Sequence, residues 1–156
     1  MDIVKLPKMS GEEVEELLTD QYLCRIAFNG SPHPYLIPFR YVRIKDVLYF
    51  HFTNYGKKMR LLDRDNKACV QIESYKPDLS MYNFVSIRGD LEEVVDPAEY
   101  RKAVELFRES GKKLSTKFLA AHGIDPGKGW DEFNTEKRLV IVKLVKVVEK
   151  VGLKSP

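Results

Sequence analysis

The sequence predicts a mainly β fold, a small antiparallel barrel with short helices packed on its outside. Five or six runs rich in β-branched and aromatic residues follow one another, and the early runs are separated by turns too short for a crossover helix. This spacing favours hairpins over a parallel βαβ sheet. Three or four short helical patterns interrupt the runs. Closure of the sheet into a barrel is favoured over an open sheet, because it leaves no strand edge with unpaired hydrogen-bonding groups.

The composition narrows the possible functions. The length of 156 residues favours one domain, spanning 1–156, and 44% hydrophobic with 31% charged residues is typical of a globular chain. No uncharged apolar run approaches the roughly 18 residues of a membrane span, and the N-terminus lacks the apolar core of a signal peptide. We therefore expect a cytoplasmic protein with no membrane partner. The net charge of +3 suits a small anion better than a nucleic acid.

The first elements follow from capping and turn signals. Ser10 to Glu13 has the pattern of a capping box, which predicts the start of a helix. A strand is predicted over 22–28, and Asn29-Gly30 favours a hairpin because both residues tolerate positive φ. The returning strand, 35–44, contains Pro38, which cannot donate to a ladder. We expect this strand to lie at an edge or to carry a bulge near the proline.

The middle of the chain alternates between strands and one helix. An aromatic-rich strand over 47–53 leads into a helix over 57–64. Two further strands are predicted over 68–73 and 83–95. Gly89, in the interior of the second, is expected to mark a bulge or a close approach by another group.

The last third begins with a second helix start. Asp96 is a typical N-cap, Pro97 suits the first helical position and Glu99 the third, so a helix should reach about Glu109, with Gly111 as its C-terminal stop. The remaining predicted elements are a helical piece, a loop and a final strand, at 114–121, 123–129 and 138–148.

One segment, 53–58, has the pattern of an anion site. It carries Thr53 at the end of a strand, a turn at Gly56, and two lysines at the start of a helix. Lysine there costs roughly 0.3–1 kcal/mol, because the N-terminal end of a helix is already positive. Backbone N–H groups, the Thr53 hydroxyl, Lys57 and Lys58 could converge on a phosphate. The alternative is a solvated basic turn.

These residues resemble the FMN-binding split barrel of the pyridoxamine 5′-phosphate oxidase-like superfamily. The resemblance runs from about Glu12 to Lys154, and its most specific part is the strand, turn and Lys-Lys piece. The Phe50-His51 pair is similar to the nitroimidazole-reductase-like branch of that superfamily. The matching pieces of the chain are 34–41, 48–58, 61–62, 84–94, 140–144 and 151–154.

The resemblance implies a six-stranded antiparallel split β-barrel with short flanking helices, working as a homodimer with two FMN sites at its interface. Lys57 and Lys58 would meet the FMN phosphate, the backbone of 37–40 would line the isoalloxazine, and Ser86 would reach the cofactor of the other subunit. The implied cofactor-binding residues are Ile37, Pro38, Phe39, Arg40, Tyr41, His51, Phe52, Thr53, Asn54, Gly56, Lys57, Lys58 and Ser86.

The activity that the resemblance implies is that of an FMN-dependent oxidoreductase, which takes electrons from NAD(P)H or a related donor and passes them to a small molecule. His51 is the candidate catalytic residue beside the flavin; the alternative is a histidine satisfied on a strand face. The substrate-binding Arg-His segment of true pyridoxamine phosphate oxidases is not found, so vitamin B6 oxidation is not expected. We expect His33 and His122 to be solvated, and no metal site.

Other interpretations stay open. A non-catalytic flavin-binding or haem-binding protein, or one that takes a deazaflavin, would have the same sequence pattern. A nucleic-acid-binding small barrel could stack bases on Tyr49, Phe52 and Tyr55, but the basic charge beside them is local. Cys24 and Cys69 are expected to be buried thiols, and the sequence leaves their disulfide state open.

Overall fold

The computed structural model describes residues 2–30 and 32–156. Within them, six antiparallel strands close into a barrel, as predicted. The strands are β1 Leu23–Phe28, β2 Tyr35–Ile44, β3 Val47–Phe52, β4 Lys67–Tyr75, β5 Tyr82–Glu93 and β6 Val140–Lys154. The helices are α1 Gly11–Asp20, α2 Lys57–Arg64 and α3 Pro97–Gly111, followed by 3₁₀ segments at Thr116–His122, Pro126–Lys128 and Trp130–Glu132. Around the barrel the strands run β1-β2-β3-β6-β5-β4.

The barrel splits along β2. Residues 35–40 pair with β1 and residues 41–44 with β3, so each half of the strand has a single ladder partner among the described residues. Pro38 lies in the first half, opposite Arg25, which confirms the expected edge environment. The register runs without a shift, so there is no bulge at Pro38. The half of β2 over 35–40 is therefore free to line a site on the outside of the barrel.

The connection from β1 to β2 is longer than a two-residue hairpin turn. Phe28 pairs with Tyr35, and the described residues between them, 29–30 and 32–34, lie outside the two strands. A Cβ atom on Gly30 would lie 1.8 Å from the carbonyl oxygen of His33, so the glycine is needed for a close approach of the backbone.

The expected bulge at Gly89 is confirmed. Arg88 pairs with Glu149 and Asp90 with Val145, so two steps along β5 match four along β6. A Cβ atom on Gly89 would lie 2.6 Å from the carbonyl oxygen of Val145, which excludes any larger residue without a backbone shift. Strand β6 also extends to Lys154, beyond the predicted end of the last strand at residue 148.

Two apolar clusters flank the sheet. The barrel interior holds Phe28, Phe50 and Phe52, and a second cluster between the outer face of the sheet, α3 and the 3₁₀ segments includes Phe107 and Phe133. Alternation along β3 places Phe50 and Phe52 inside, and therefore turns His51, between them, to the outside of the barrel. No helix within 2–30 and 32–156 is long and apolar enough to cross a membrane.

The two cysteines are both free thiols. Cys24 is buried, as expected, whereas Cys69 is only partly buried. Burial raises the pKa of the Cys24 thiol well above its usual range, so it is protonated and unreactive.

Candidate functional site

A cavity of about 260 Å³ lies on the outside of the barrel, between the free half of β2, the end of β3 and the 3₁₀ segment Thr116–His122. The sequence-predicted site residues that line it are Ile37, Pro38, Phe39, Arg40, His51, Thr53 and Lys58. Leu23, Phe118, Ala121 and His122 complete its wall. Four stretches that are separate in sequence, around residues 23, 37–40, 51–58 and 118–122, thus meet at one place, and most of the cavity wall is apolar.

The other predicted residues lie elsewhere. Tyr41 borders a neighbouring groove and donates its hydroxyl to the carbonyl of Leu18 over 2.8 Å. Phe52 is fully buried in the barrel interior, with its ring stacked on Phe39 at 4.7 Å between centroids, so its side chain cannot line the cavity. Ser86 lies on β5 and pairs with residues of β4 and β6, away from this cavity of its own chain. Asn54 and Gly56 are exposed in the turn before α2.

Lys58 is the lysine that faces the cavity. Its Nζ donates to the Thr53 hydroxyl at 2.5 Å and to the Tyr55 carbonyl at 3.2 Å. Partial burial lowers the pKa of this ammonium group, because desolvation disfavours the charged form. Gly56 caps the helix with a φ of 94° and no side-chain hydrogen bond, and the first turn of α2 contains no acid. The N-terminal end of the α2 dipole and the charge of Lys58 therefore both contribute positive electrostatic potential at the start of this helix.

Lys57 points to the other side of α2. It lines a separate hollow with Arg60, and its Nζ lies 5.1 Å from the ring centroid of Tyr35. Lys57 and Arg60 therefore share one side of α2, and the structure separates Lys57 from Lys58. Among the described residues, no acid forms an ion pair with Lys57, Lys58 or Arg60.

Arg40 is a buried cation at the base of the cavity, only 3% exposed. Nη1 donates to the Ser110 hydroxyl at 2.8 Å and Nη2 to the Phe107 carbonyl at 2.6 Å. The guanidinium carbon also lies 5.0 Å from the ring centroid of Trp130. Desolvation lowers its pKa to about 10, which still leaves the group charged. All its partners are neutral, so its charge is not cancelled by any described carboxylate.

His51 and His122 form a buried pair beside Arg40. Their Nδ1 atoms lie 2.9 Å apart, and the Nε–H of Arg40 donates to Nε2 of His122 over 3.4 Å. Burial lowers the pKa of His51 to about 4, with smaller contributions from the charges of Lys58 and Arg40. Burial also lowers the pKa of His122 to about 3, with contributions from His51 and Arg40. Both imidazoles are therefore neutral near pH 7.

The sequence prediction for His122 was wrong. This residue is buried against the aromatic rings of Phe118, Trp130 and Phe133, whereas His33 is exposed as expected. The local signal was the apolar stretch that precedes it, residues 118–121, which argues for a packed rather than a solvated segment. What sequence could not show is that this segment folds back over the ends of β2 and β3.

The cavity is positively charged and free of acids. None of the residues that line it is Asp or Glu, while Arg40 and Lys58 are both cations. Among the described residues, no group of three or more potential ligands could hold a metal ion. The arrangement is suited to an anionic ligand with an apolar face.

Comparisons with known proteins identify the family and the fold of the chain. The profile of the family described as Pyridoxamine 5′-phosphate oxidase matches residues 10–121. Among curated proteins, no sequence matches. Several solved structures share the fold at low sequence identity.

Three of these structures are similar over nearly the whole chain. An FAD-binding protein from Mesorhizobium loti has a TM-score of 0.69 at 18% identity, covering 98% of this chain and 100% of its own. The FAD binding protein from Mycobacterium smegmatis has a TM-score of 0.64 at 14% identity, covering 95% and 97%. A protein provisionally described as a 5-nitroimidazole antibiotic resistance protein from Bacteroides thetaiotaomicron has a TM-score of 0.68 at 18% identity, covering 96% and 87%.

Proposed function

Because the chain belongs to the pyridoxamine 5′-phosphate oxidase family, we propose that it binds FMN in the cavity beside β2 and acts as an FMN-dependent oxidoreductase on a small molecule. One observation carries the proposal: the cavity joins an apolar wall to two cations and contains no acid. FMN has the matching chemistry, a flat aromatic ring system at one end and a phosphate at the other.

The two ends of the cavity suit the two ends of FMN. Lys58, already hydrogen-bonded to Thr53, would bind the phosphate together with backbone N–H groups at the start of α2. Residues 37–39 would pack against the isoalloxazine and exclude water. Arg40 and His51 would face the ring with positive charge and a hydrogen-bond donor. When bound, FMN supplies the redox chemistry, with NAD(P)H or a related compound as the electron donor.

We propose further that the site is shared between two copies of the chain. The cavity of about 260 Å³ is smaller than the roughly 300–1,000 Å³ of most ligand sites, so one chain alone does not enclose a flavin. Large exposed apolar side chains lie on the same elements that line it: Leu23 on β1, Leu36 on β2 and Tyr55 in the turn before α2. A homodimer that covers them would bury this apolar surface and complete the cavity. Ser86 of a second copy would then be free to approach the flavin.

The alternatives to FMN are other cofactors that absorb visible light. Two of the similar structures are described as FAD-binding proteins, so FAD is the first alternative to FMN. The visible spectrum of the protein purified without added cofactor separates flavin from haem and from a deazaflavin. Chromatography of the flavin released by heating separates FMN from FAD. A haem spectrum, or the absence of flavin binding at micromolar concentrations, would overturn the proposal.

The decisive variant reverses the charge at the start of α2. We expect Lys57→Glu with Lys58→Glu to abolish FMN binding, measured by quenching of flavin fluorescence. A matched control is Lys102→Glu with Lys128→Glu, which makes the same change in net charge at two exposed lysines away from the cavity. Wild-type affinity in the first double variant would show that the phosphate does not bind there.

Catalysis is tested separately from binding. The FMN-loaded protein should consume NAD(P)H under anaerobic conditions when a small electron acceptor is supplied, and flavin-free protein should not. FMN binding without any turnover would support the non-catalytic flavin-binding alternative.

A further inference from the structure

Arg40 fixes the direction of a hydrogen-bond chain. An arginine Nε–H can only donate, so Nε2 of His122, 3.4 Å away, is the acceptor and carries no proton. If His122 carried its proton on Nε2, two N–H groups would point at each other. Because Arg40 is held in place by Ser110 and Phe107, its Nε–H cannot simply turn away.

The proton of His122 must then be on its other nitrogen. A neutral imidazole carries one N–H, and a second proton on His122 would place another buried cation beside the guanidinium. The Nδ1–H of His122 is thus directed at Nδ1 of His51, at 2.9 Å. That nitrogen of His51 accepts, which leaves the proton of His51 on Nε2.

The Nε2–H of His51 ends the chain at the cavity. His51 lines the cavity, and no described residue accepts a hydrogen bond from its Nε2. We propose that Arg40 and His122 are positioning residues that fix His51 as its Nε2–H tautomer, and that the ligand of this cavity presents a hydrogen-bond acceptor to that N–H.

The hydrogen bonds from Arg40 through His122 hold the Nε2–H donor of His51 rigidly. His122 is enclosed by aromatic rings, and its two nitrogens are both occupied, so neither imidazole can turn over without breaking a buried hydrogen bond. A rigid donor in a mostly apolar cavity selects for carbonyl or carboxylate oxygens or an unprotonated ring nitrogen, and against another donor. An oxidised flavin ring offers such acceptors. Only this last step, the identity of the ligand, rests on the proposed function.

The first test needs no ligand. Nitrogen-15 spectra of the histidine side chains, recorded on flavin-free protein near pH 7, distinguish protonated from bare ring nitrogens. We expect His51 protonated on Nε2 and His122 on Nδ1. His33, which is exposed, provides an internal reference signal in the same spectrum. The reverse assignment, or a charged imidazolium at either buried position, would overturn the inference.

Two variants test what fixes the tautomer. Arg40→Met removes the donor to His122, and His122→Phe removes the donor to His51 while keeping an aromatic ring in an aromatic pocket. In each folded variant we expect His51 to become a mixture of tautomers. If one variant fails to fold, the other decides the question. If the His51 proton stays entirely on Nε2 in a folded variant, Arg40 and His122 do not fix the tautomer.

The ligand is tested by FMN titration. Loss of one hydrogen bond in His51→Phe should weaken FMN binding about threefold to tenfold, while His33→Gln should bind as the wild type does. Equal affinity of wild type and His51→Phe would overturn the acceptor part of the inference. If the wild type binds no FMN, the proposed function fails, and the tautomer experiment still decides the rest.

Discussion

Gly111 and Trp130 are packed so closely that a Cβ atom on the glycine would lie 2.3 Å from Cε3 of the indole. The indole of Trp130 therefore packs directly against the backbone at the end of α3. The same ring lies beside the guanidinium of Arg40. The prediction that α3 ends near Gly111 is confirmed, but the reason is different. The chain continues in αR conformation at Lys112, with a φ of −58°, so no left-handed glycine terminates the helix.

Gly111→Ala should lower the free energy of unfolding by about 1–3 kcal/mol, because Trp130 has to move out of a filled space. Gly11→Ala is the matched control: nothing lies within 4 Å of its added Cβ, at the first residue of α1, and alanine is tolerated there. Urea denaturation of both variants measures the difference. Equal stability of the two variants would mean that the indole is not held against the helix.

The buried histidine pair should make folding depend on pH. Both folded-state pKa values lie below that of an unfolded histidine, about 4 for His51 and about 3 for His122, mainly because burial disfavours the charge. The unfolded chain therefore binds more protons below about pH 6.5. Stability is fully present above that pH and falls as the pH drops toward 4, by up to about 1.4 kcal/mol per pH unit for each histidine.

His122→Phe should reduce this pH dependence between pH 6.5 and 4, while His33→Gln, an exposed loop variant, should keep it. Urea denaturation curves at half-unit steps of pH give the slope. An unchanged slope in His122→Phe would mean that carboxylates, not the buried pair, control the acid stability of the protein.

Local signals predicted most of the fold. The capping box at Ser10 is present, with both of its hydrogen bonds, and α2 has the predicted bounds of 57–64. Gly89 marks a bulge because its pattern, a glycine inside a strand, has few other causes. The capping box and α2 depend on residues close together in sequence, so their signals are complete within a short segment. The bulge at Gly89 also involves Val145 of β6, and only the glycine itself is visible locally.

The candidate site could be predicted only in part, because its geometry is not local. The family resemblance implied Ile37 to Arg40, and the turn before α2 indicated Lys58. Only the closed fold shows that Nδ1 of His122 comes to within 2.9 Å of Nδ1 of His51. The sequence also could not show that Lys57 and Lys58 face different hollows, since a short helix can be rotated either way until it packs. The burial of the Arg40 guanidinium depends on α3, which is distant in sequence and supplies Ser110 and Phe107 as its hydrogen-bond partners.

Leu36→Lys should weaken the proposed dimer. Leu36 is 61% exposed on the half of β2 that pairs only with β1 among the described residues, and a lysine in a dimer interface would have to be desolvated. We expect at least about a tenfold rise in the dimer dissociation constant, with a parallel loss of FMN affinity. Sedimentation velocity measures the first and fluorescence titration the second.

Val95→Lys is the control for Leu36→Lys, since Val95 is 84% exposed in the connection between β5 and α3. It should leave both the dimer and FMN binding unchanged. A wild-type protein that is monomeric while tightly binding FMN would contradict the shared site.

Lys58 and Lys57 should contribute very unequally to phosphate binding. Lys58 lines the cavity and is held there by Thr53, whereas Lys57 lies in the other hollow beside Arg60. Lys58→Met removes a charge-assisted hydrogen bond and should raise the Kd for FMN about tenfold or more, but Lys57→Met should change it less than about threefold. Fluorescence titration in phosphate-free buffer measures both.

Riboflavin separates the phosphate contribution from the ring contribution, because it lacks the phosphate. Lys58→Met should bind riboflavin as the wild type does if Lys58 acts on the phosphate alone. A larger effect of Lys57→Met than of Lys58→Met on FMN would place the phosphate in the hollow beside Arg60, on the opposite side of α2 from the cavity. In that case the FMN ring could not lie against residues 37–39, and the orientation proposed for the flavin would be wrong.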